Sequence, residues 1–346
     1  MRIAFFVSDI TTEKPDYATT RLAMAAAEAG HDAFYLDLDA ISFVSDDAMQ
    51  VWAREVPPDT EIPYDDFVEA IREKSESTRI RVDELDVLML RQEPELDVTE
   101  RPWSQSLGIA FGEMAAQRGV IVLNDPMGFA RAINKLYLHD FPPEIQPRTL
   151  VTRNPDEAKE FIAELGGKAV IKPLQSGKGE NVFLVKEDEA ANLNQMVEVV
   201  WKEGYIVAQE YIEEAGKGDV RLMMMNAKPL EVDGQVAAVF RRSPDDDLRS
   251  NISSGGSAEA AEVDDRLLRI AKLVEPKLRR DGMFLVGLDI AGDKLIEVNG
   301  TSPGTLTSSQ WTTGIDFAPK VIEALERKLE LRREKPDLTN VEVATL

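Results

Sequence analysis

Met-Phe-Leu-Val-Gly-Leu-Asp-Ile-Ala-Gly-Asp-Lys-Leu-Ile-Glu-Val-Asn-Gly-Thr-Ser-Pro, residues Met283 to Pro303, is the stretch from which the fold can be read. Two apolar runs rich in β-branched residues flank an Ala-Gly-Asp-Lys turn, which predicts a β-hairpin. Its strands carry three oxygen-bearing side chains, Asp289, Glu297 and Asn299, whose burial is costly unless a cation offsets it. Period-2 alternation places Glu297 and Asn299 on one face. Asp289 joins them only in an odd register, because a two-residue loop would pair it with Ile296 and turn it to the other side. A three-residue loop Gly292-Asp293-Lys294 is therefore predicted. Oxygen donors without His or Cys suit a hard ion such as magnesium, which also takes phosphate oxygens. The competing reading is a hairpin whose polar residues merely face solvent. Three such residues on one predicted buried face, followed by Gly-Thr-Ser-Pro-Gly, argue against it.

Outward from the hairpin, composition sets the limits. The 346 residues are long enough for two or three packed lobes, and with 43% apolar and 30% charged residues the composition is globular. A net charge of −23 disfavours nucleic acid and anionic membranes as partners. Any anionic ligand then needs a local basic pocket. The acidity also fits a saline cytoplasm. With no cysteine and only His31 and His139, a disulfide framework, a thiolate site and a His-based triad are all disfavoured. No apolar run reaches membrane-spanning length and no signal peptide opens the chain, so a cytoplasmic protein is expected.

Residues 2 to 7, 17 to 29 and 33 to 38 read as the βαβ opening of a doubly wound sheet. Ser8-Asp9-Ile10-Thr11-Thr12 lacks the glycines of a dinucleotide site. Residues 45 to 82 read as an irregular excursion with one short helix near 65 to 74. Asp86 to Leu90 is a buried strand, and Arg91-Gln92-Glu93-Pro94 at its carboxyl end is placed to touch ligand. A helix near 104 to 118, a strand Val120 to Leu123 and a helix opened by Asn124-Asp125-Pro126 follow. Leu174 to Glu180, Leu-Gln-Ser-Gly-Lys-Gly-Glu, is suited to lying over phosphates, though a plain mobile turn fits it equally and it is not a Walker A motif. Arg221 among apolar neighbours requires an acid or phosphate partner. Arg241 to Gly256, dense in Arg, Ser, Asn and Gly, reads either as an active-site loop or as a surface loop.

These motifs, taken in order, carry a resemblance. Val122-Leu-Asn-Asp-Pro126, Asn134-Lys-Leu136, Thr149 to Asn154, Ile171-Lys-Pro-Leu174, Gly218-Asp-Val-Arg221, Arg249-Ser-Asn251, Ser254-Gly-Gly256, Val286-Gly-Leu-Asp-Ile290 and Glu297 to Pro303 resemble the prokaryotic glutathione synthetases, which are ATP-grasp carboxylate-amine ligases. The resemblance implies an α/β ATP-grasp fold with an N-terminal doubly wound domain. The expected divisions are residues 1–125, a lid subdomain 126–204, a C-terminal subdomain 205–334 and a peripheral tail 335–346. It implies ATP and magnesium, two ions, with manganese also admissible. Lys135 and Lys172 are expected on the phosphates, Gln209, Tyr211 and Ile212 around the adenine, and Asp219 near the ribose. Asp289, Glu297 and Asn299 are expected on the metals, and Arg221 and Arg242 on the transferring phosphoryl group. Arg249, Asn251, Gly255, Gly256 and Ser302 would enclose substrate. The family chemistry joins γ-glutamylcysteine to glycine through an acyl phosphate. Small-molecule substrates and a homo-oligomer follow from the same resemblance.

Departures from the family pattern concern substrate: Gln92 where the family carries a cation, Glu180 where it carries a small residue, and Gly304 onward after Thr-Ser-Pro. They leave open a sibling ligase acting on another acid or amine, and a nucleotide-binding regulator without catalysis.

Overall fold

The computed structural model of the chain describes residues 1–43, 49–58, 62–74, 77–94, 101–175, 180–186, 190–242 and 257–346. Three main sheets follow one another. The first is built from β1 (Arg2–Phe6), β2 (Asp32–Leu36), β3 (Ile41–Phe43), β4 (Met49–Glu55), β5 (Ser77–Arg81), β6 (Val87–Leu90) and β7 (Ile121–Leu123), in the order β3-β4-β2-β1-β6-β7 with β5 on β4. β2, β1, β6 and β7 run parallel. Helix α1 (Ala18–Glu28) connects β1 to β2, and α2 (Phe67–Lys74) precedes β5. Helix α3 (Leu107–Gln117) connects β6 to β7 on the other side. The doubly wound reading of the opening holds. The irregular excursion at 45 to 82 does not: it contains β4 and β5, whose outer face is solvated. Met49, Val51 and Ala53 are buried, while Trp52 between them stands 48% exposed.

Asp125 caps α4 (Pro126–Ala132), its carboxylate accepting from the amides of Met127 and Gly128. The second sheet comprises β8 (Thr149–Thr152), β9 (Ala169–Pro173), β10 (Phe183–Val185) and β11 (Ile206–Glu210), in the order β10-β9-β11-β8, with α5 (Pro155–Glu164) and α6 (Ala190–Glu203) packed on it. Because β11 is an inner strand here, the boundary expected at residue 205 moves beyond it.

The third sheet has the order β17-β16-β12-β18-β19. Its strands are β12 (Asp219–Met225), with β13 (Lys228–Pro229) beside it, β16 (Ala238–Arg242), β17 (Ser257–Ala260), β18 (Leu285–Ala291) and β19 (Lys294–Asn299). A separate ribbon joins β14 (Glu231–Val232) to β15 (Gln235–Val236). Helix α7 (Asp265–Arg280) covers the third sheet with an apolar face of Leu267, Ile270, Val274 and Leu278. Helices α8 (Leu306–Thr313), α9 (Ala318–Glu334) and α10 (Asn340–Thr345) then return to the first sheet.

The tail expected to be peripheral is therefore structural. Val343 and Ala344 are fully buried, and Asn340 bonds both backbone groups of Val122 and the Asp125 carboxylate. Buried Lys328 donates to the carbonyls of Val343 and Leu346 at 2.9 and 3.1 Å. Among the described residues no helix is long and apolar enough to cross a membrane.

The hairpin that opened the reading is β18-β19, and its turn differs from expectation. Ala291 pairs with Lys294 across a two-residue turn, Gly292-Asp293, in which Gly292 adopts φ +55°. The register then shifts between Asp289 and Ile290, with Ile296 as the extra residue on β19. Asp289 consequently opposes Glu297, and Gly287 opposes Asn299. The three polar residues share a face because of a bulge, not because of an odd loop.

Candidate active site

A cleft lies between the second and third sheets. Thr149, Lys172, Val207 and Gln209 line it from one side, Ile296 to Thr301 from the other, and residues 132–135 and 137–139 close one end. Local chemistry places the cations. Asn134 caps the short helical turn that begins at Lys135, accepting from the Leu136 amide at 3.0 Å. The Lys135 amide reaches the Leu174 carbonyl at 3.2 Å, which ties this turn to the end of β9.

Lys172 Nζ donates to Gln209 Oε1 at 3.1 Å, and Gln209 Nε2 donates to Thr149 Oγ1 at 3.1 Å. Burial pushes the Lys172 ammonium down to about 8, with Lys135 adding to the fall and Glu297 opposing it. A cation so weakly compensated favours an incoming phosphate.

Behind Asn299 a row of charges crosses the third sheet. Arg221 opposes Asp289 across β12-β18 and forks onto it, Nε and Nη2 each 2.6 Å from a carboxylate oxygen. Arg241 Nη2 reaches the same carboxylate at 2.8 Å, and Asn299 Nδ2 donates to it at 3.1 Å. Burial alone would raise Asp289, but Arg221 and Arg241 outweigh it and hold the carboxyl at about 2. The acid partner that Arg221 required is thus Asp289.

The donor set, two carboxylates and an amide, is all oxygen and suits magnesium. Among the described residues no three of His, Cys, Asp and Glu cluster, since the third donor here is Asn299. Both Asp289 oxygens are engaged by guanidinium, so a cation taking Asp289 would displace Arg221 contacts.

The structure brings Lys135, Lys172, Gln209, Glu297 and Asn299 around one cleft, with Asp289 and Arg221 adjoining. It does not bring Asp219 there. That carboxylate is 4% exposed and forks with Arg241, its register partner on β16. Tyr211 and Ile212 follow β11 outside the cleft lining, and Lys168 Nζ stands 4.4 Å above the Tyr211 ring. Arg242 is exposed and pairs with Glu259 on β17 at 2.9 Å. Ser302 is half-buried just past the cleft-lining Thr301. Arg249, Asn251, Gly255 and Gly256, and most of the loop from Leu174 to Glu180, lie outside the described residues.

Sequence reading missed two residues. Arg241 was hidden by its neighbour Arg242, although β-alternation opposite Asp219 would have exposed it. Asn124 was read only as a helix opener. Its side chain donates to the carbonyls of Leu285 and Gly300 at 3.0 and 2.6 Å and accepts from the Leu285 amide at 2.8 Å, stapling the first sheet to the hairpin.

Comparison with known proteins gives the same outline. Residues 1–129 match the family model of the prokaryotic glutathione synthetase N-terminal domain, and residues 134–313 that of its ATP-grasp domain. Glutathione synthetase of Shewanella oneidensis is 30% identical over 93% of this chain and 96% of its own. That of Mesorhizobium japonicum is 30% identical over 89% and 92%. Among solved structures, a D-cycloserine synthetase superposes with TM-score 0.64 at 16% identity, covering 94% of this chain and 99% of its own. A macrocyclase from Microcystis aeruginosa, bound with a precursor peptide, gives 0.61 at 14%, covering 94% and 100%. At these identities the two structures speak for the ATP-grasp fold. Two family models spanning nearly all of the cleft-forming sequence, with relatives matched almost end to end, place the chain in the prokaryotic glutathione synthetase family, as an ATP-dependent ligase of the ATP-grasp fold.

Proposed function

We propose that this ligase joins the cysteinyl carboxylate of γ-glutamylcysteine to the amine of glycine, converting ATP to ADP and phosphate. The observation that carries the reading is the cleft itself: cationic Lys172 on one side and Lys135 at one end meet oxygen donors Glu297 and Asn299 on the other side, in a chain of this family. A carboxylate oxygen of the donor attacks the γ-phosphorus of ATP, and ADP leaves. The glycine nitrogen then attacks the acyl carbon, phosphate leaves, and the nitrogen loses its proton. Neither step needs a protein nucleophile, which agrees with the absence of cysteine.

In this reading Lys135 and Lys172 hold phosphate oxygens, and Gln209, Tyr211 and Ile212 lie along the base. Asp289, Glu297 and Asn299 would hold magnesium, two ions with manganese as an admissible substitute, which when bound neutralises phosphate charge. Arg221 transfers from Asp289 to the moving phosphoryl group, joined by Arg242. Arg249, Asn251, Gly255, Gly256 and Ser302 enclose the acyl phosphate. Asp219 lies near the ribose in this reading, and its carboxylate also orients Arg241. The three sheets correspond to an N-terminal domain, a lid and a C-terminal subdomain.

A second reading, a sibling ligase with another acid or amine, is favoured by Gln92, which is 1% exposed where the family has a cation. Phosphate release from ATP and magnesium, measured with γ-glutamylcysteine and glycine together and singly, decides between them. Release requiring both, with a product of glutathione mass, supports the first. Release with neither combination, but with other acids or amines, supports the second.

A further inference from the structure

Lys135 meets the cleft from a short helical turn, Lys135–Asp140, and a turn of six residues has little rigidity of its own. Its start is tied to the second sheet through the Lys135 amide and the Leu174 carbonyl. A side chain ties it to the third. Tyr137 is 3% exposed, and its hydroxyl donates to Asp281 Oδ2 at 2.9 Å. Asp281 closes the carboxyl end of α7, just before the chain enters β18.

Asp281 is itself buried and gathers donors from three segments. Lys277 Nζ, one turn back on α7, stands 2.7 Å from Oδ2, and Arg131 Nη1 on α4 lies 3.3 Å from Oδ1. Lys277 Nζ also reaches Asp140 Oδ2, at the far end of the Lys135 turn, at 2.7 Å, and sits 5.0 Å from the centre of the Tyr137 ring. Phe141 meets that ring edge-on at 5.2 Å. Gly128 of α4 packs so tightly on the Asp281 carbonyl that no Cβ would fit between them. The next residue extends the junction to the first sheet, because the Gly282 carbonyl accepts from the Asp125 amide at 3.0 Å.

Two cations, Lys277 and Arg131, already meet the charge of Asp281, so the carboxylate does not depend on the tyrosine to be buried. What the hydroxyl adds is direction. Ring packing alone would let the turn slide, whereas a hydrogen bond to a charged acceptor fixes an angle and a distance. Burial, reinforced by Asp281, raises the Tyr137 hydroxyl far above its ordinary range and keeps it a donor. We propose that Tyr137 and Asp281 are positioning residues for Lys135, locking its turn to the base made by α7 and β18. Since β18 also carries Asp289, one rigid path through Tyr137 and Asp281 relates the phosphate-facing cation to the acid of the hairpin. The inference rests on the reading of Lys135 as a phosphate contact and adds what holds that contact in place.

The test is a double-mutant cycle between Tyr137 and Lys135, read by titration calorimetry on the full chain with magnesium and a non-hydrolysable ATP analogue. Tyr137→Phe keeps the ring and removes only the hydroxyl. In a chain with Lys135 it should weaken the analogue about fivefold, and in the Lys135→Ala background it should change nothing, the non-additivity of residues that act through one another. Asp281→Asn should weaken the analogue at least as much, and combining it with Tyr137→Phe should add no further loss. Should Asp281→Asn not fold, the Tyr137→Phe cycle alone decides. A bond serving only the fold would lower the melting temperature in both backgrounds and leave affinity unchanged, or change it by the same factor in both. Either result overturns the positioning role and leaves the phosphate contact standing. Lys135→Ala binding the analogue as tightly as the wild type overturns the phosphate contact itself, and the positioning role with it.

Discussion

In the third sheet Asp289 is gripped by Arg221, Arg241 and Asn299, whereas at the end of the first sheet Glu13 and Arg91 are buried near each other without touching. The same residue types meet opposite fates. In the first case strand register sets an acid directly opposite a guanidinium, and the fork fixes both geometries before any ligand arrives. In the second, Arg91 is held by a hydroxyl and a carbonyl, neutral groups that orient the charge without cancelling it. A paired charge builds the scaffold of a site; an unpaired buried one leaves its electrostatic cost uncompensated.

The largest effect that would test this contrast is Asp289→Asn. Turnover should fall about a thousandfold, as when a charge-stabilising group is lost. Stability should drop by about 3 kcal/mol, because Arg221 loses its carboxylate partner and Arg241 is left with Asp219 alone. Steady-state kinetics and denaturant unfolding check both, and near-normal activity would sink the assigned role.

Lys172→Ala comes next, with the ATP KM raised on the order of tenfold or more through loss of a charged contact. In the wild type that KM should climb as pH rises through about 8, where the ammonium of the free enzyme is lost, and the climb should vanish in the variant.

A smaller signal is the pH dependence of stability from Glu13. Its folded value, about 7, exceeds the ordinary 4.5, so the folded state holds the proton more tightly between them. Stability from this group is complete below 4.5 and is lost as pH rises to 7, by at most about 1.4 kcal/mol per pH unit. Glu13→Gln should flatten that slope and be no less stable than wild type at pH 8. A variant clearly less stable there would mean that Glu13 is paired after all.

The smallest expected change in stability is for Arg242→Ala, whose fork with Glu259 is fully solvated. Its melting temperature should match the wild type, and a change in turnover without one would separate a role in chemistry from a role in folding.

Much of this was legible in the residues. Continuous apolar runs located the parallel strands of the first sheet, and caps such as Asp125-Pro126 marked helix starts. Oxygen donors on the hairpin pointed to Glu297 and Asn299, which line the cleft. The register was not legible: parity alone demanded an odd loop, and nothing in Leu295-Ile296-Glu297 announces that Ile296 is the extra residue. The partner of Asp219 was not legible because it is chosen by strand order, which places Arg241 beside it from a distant segment. β4 and β5 escaped because a strand with one solvated face is half polar, and α10 because six residues carry too little periodicity to disclose docking.

The return of the chain's end to its beginning sets an order of events during synthesis. Phe317, Val321, Leu325 and Val343 complete the apolar layer that Leu22, Ala26 and Phe5 begin. Until residues 317–345 have emerged, the cluster that α1 begins on that face lacks its remaining members, although the strands themselves are the earliest to leave the ribosome. The domain started first is thus finished last, through contacts spanning most of the sequence, a slow closure that leaves apolar surface open meanwhile. Truncation before α10 should therefore reduce the yield of folded protein, leaving the chemistry of the cleft, where enough protein folds, unchanged.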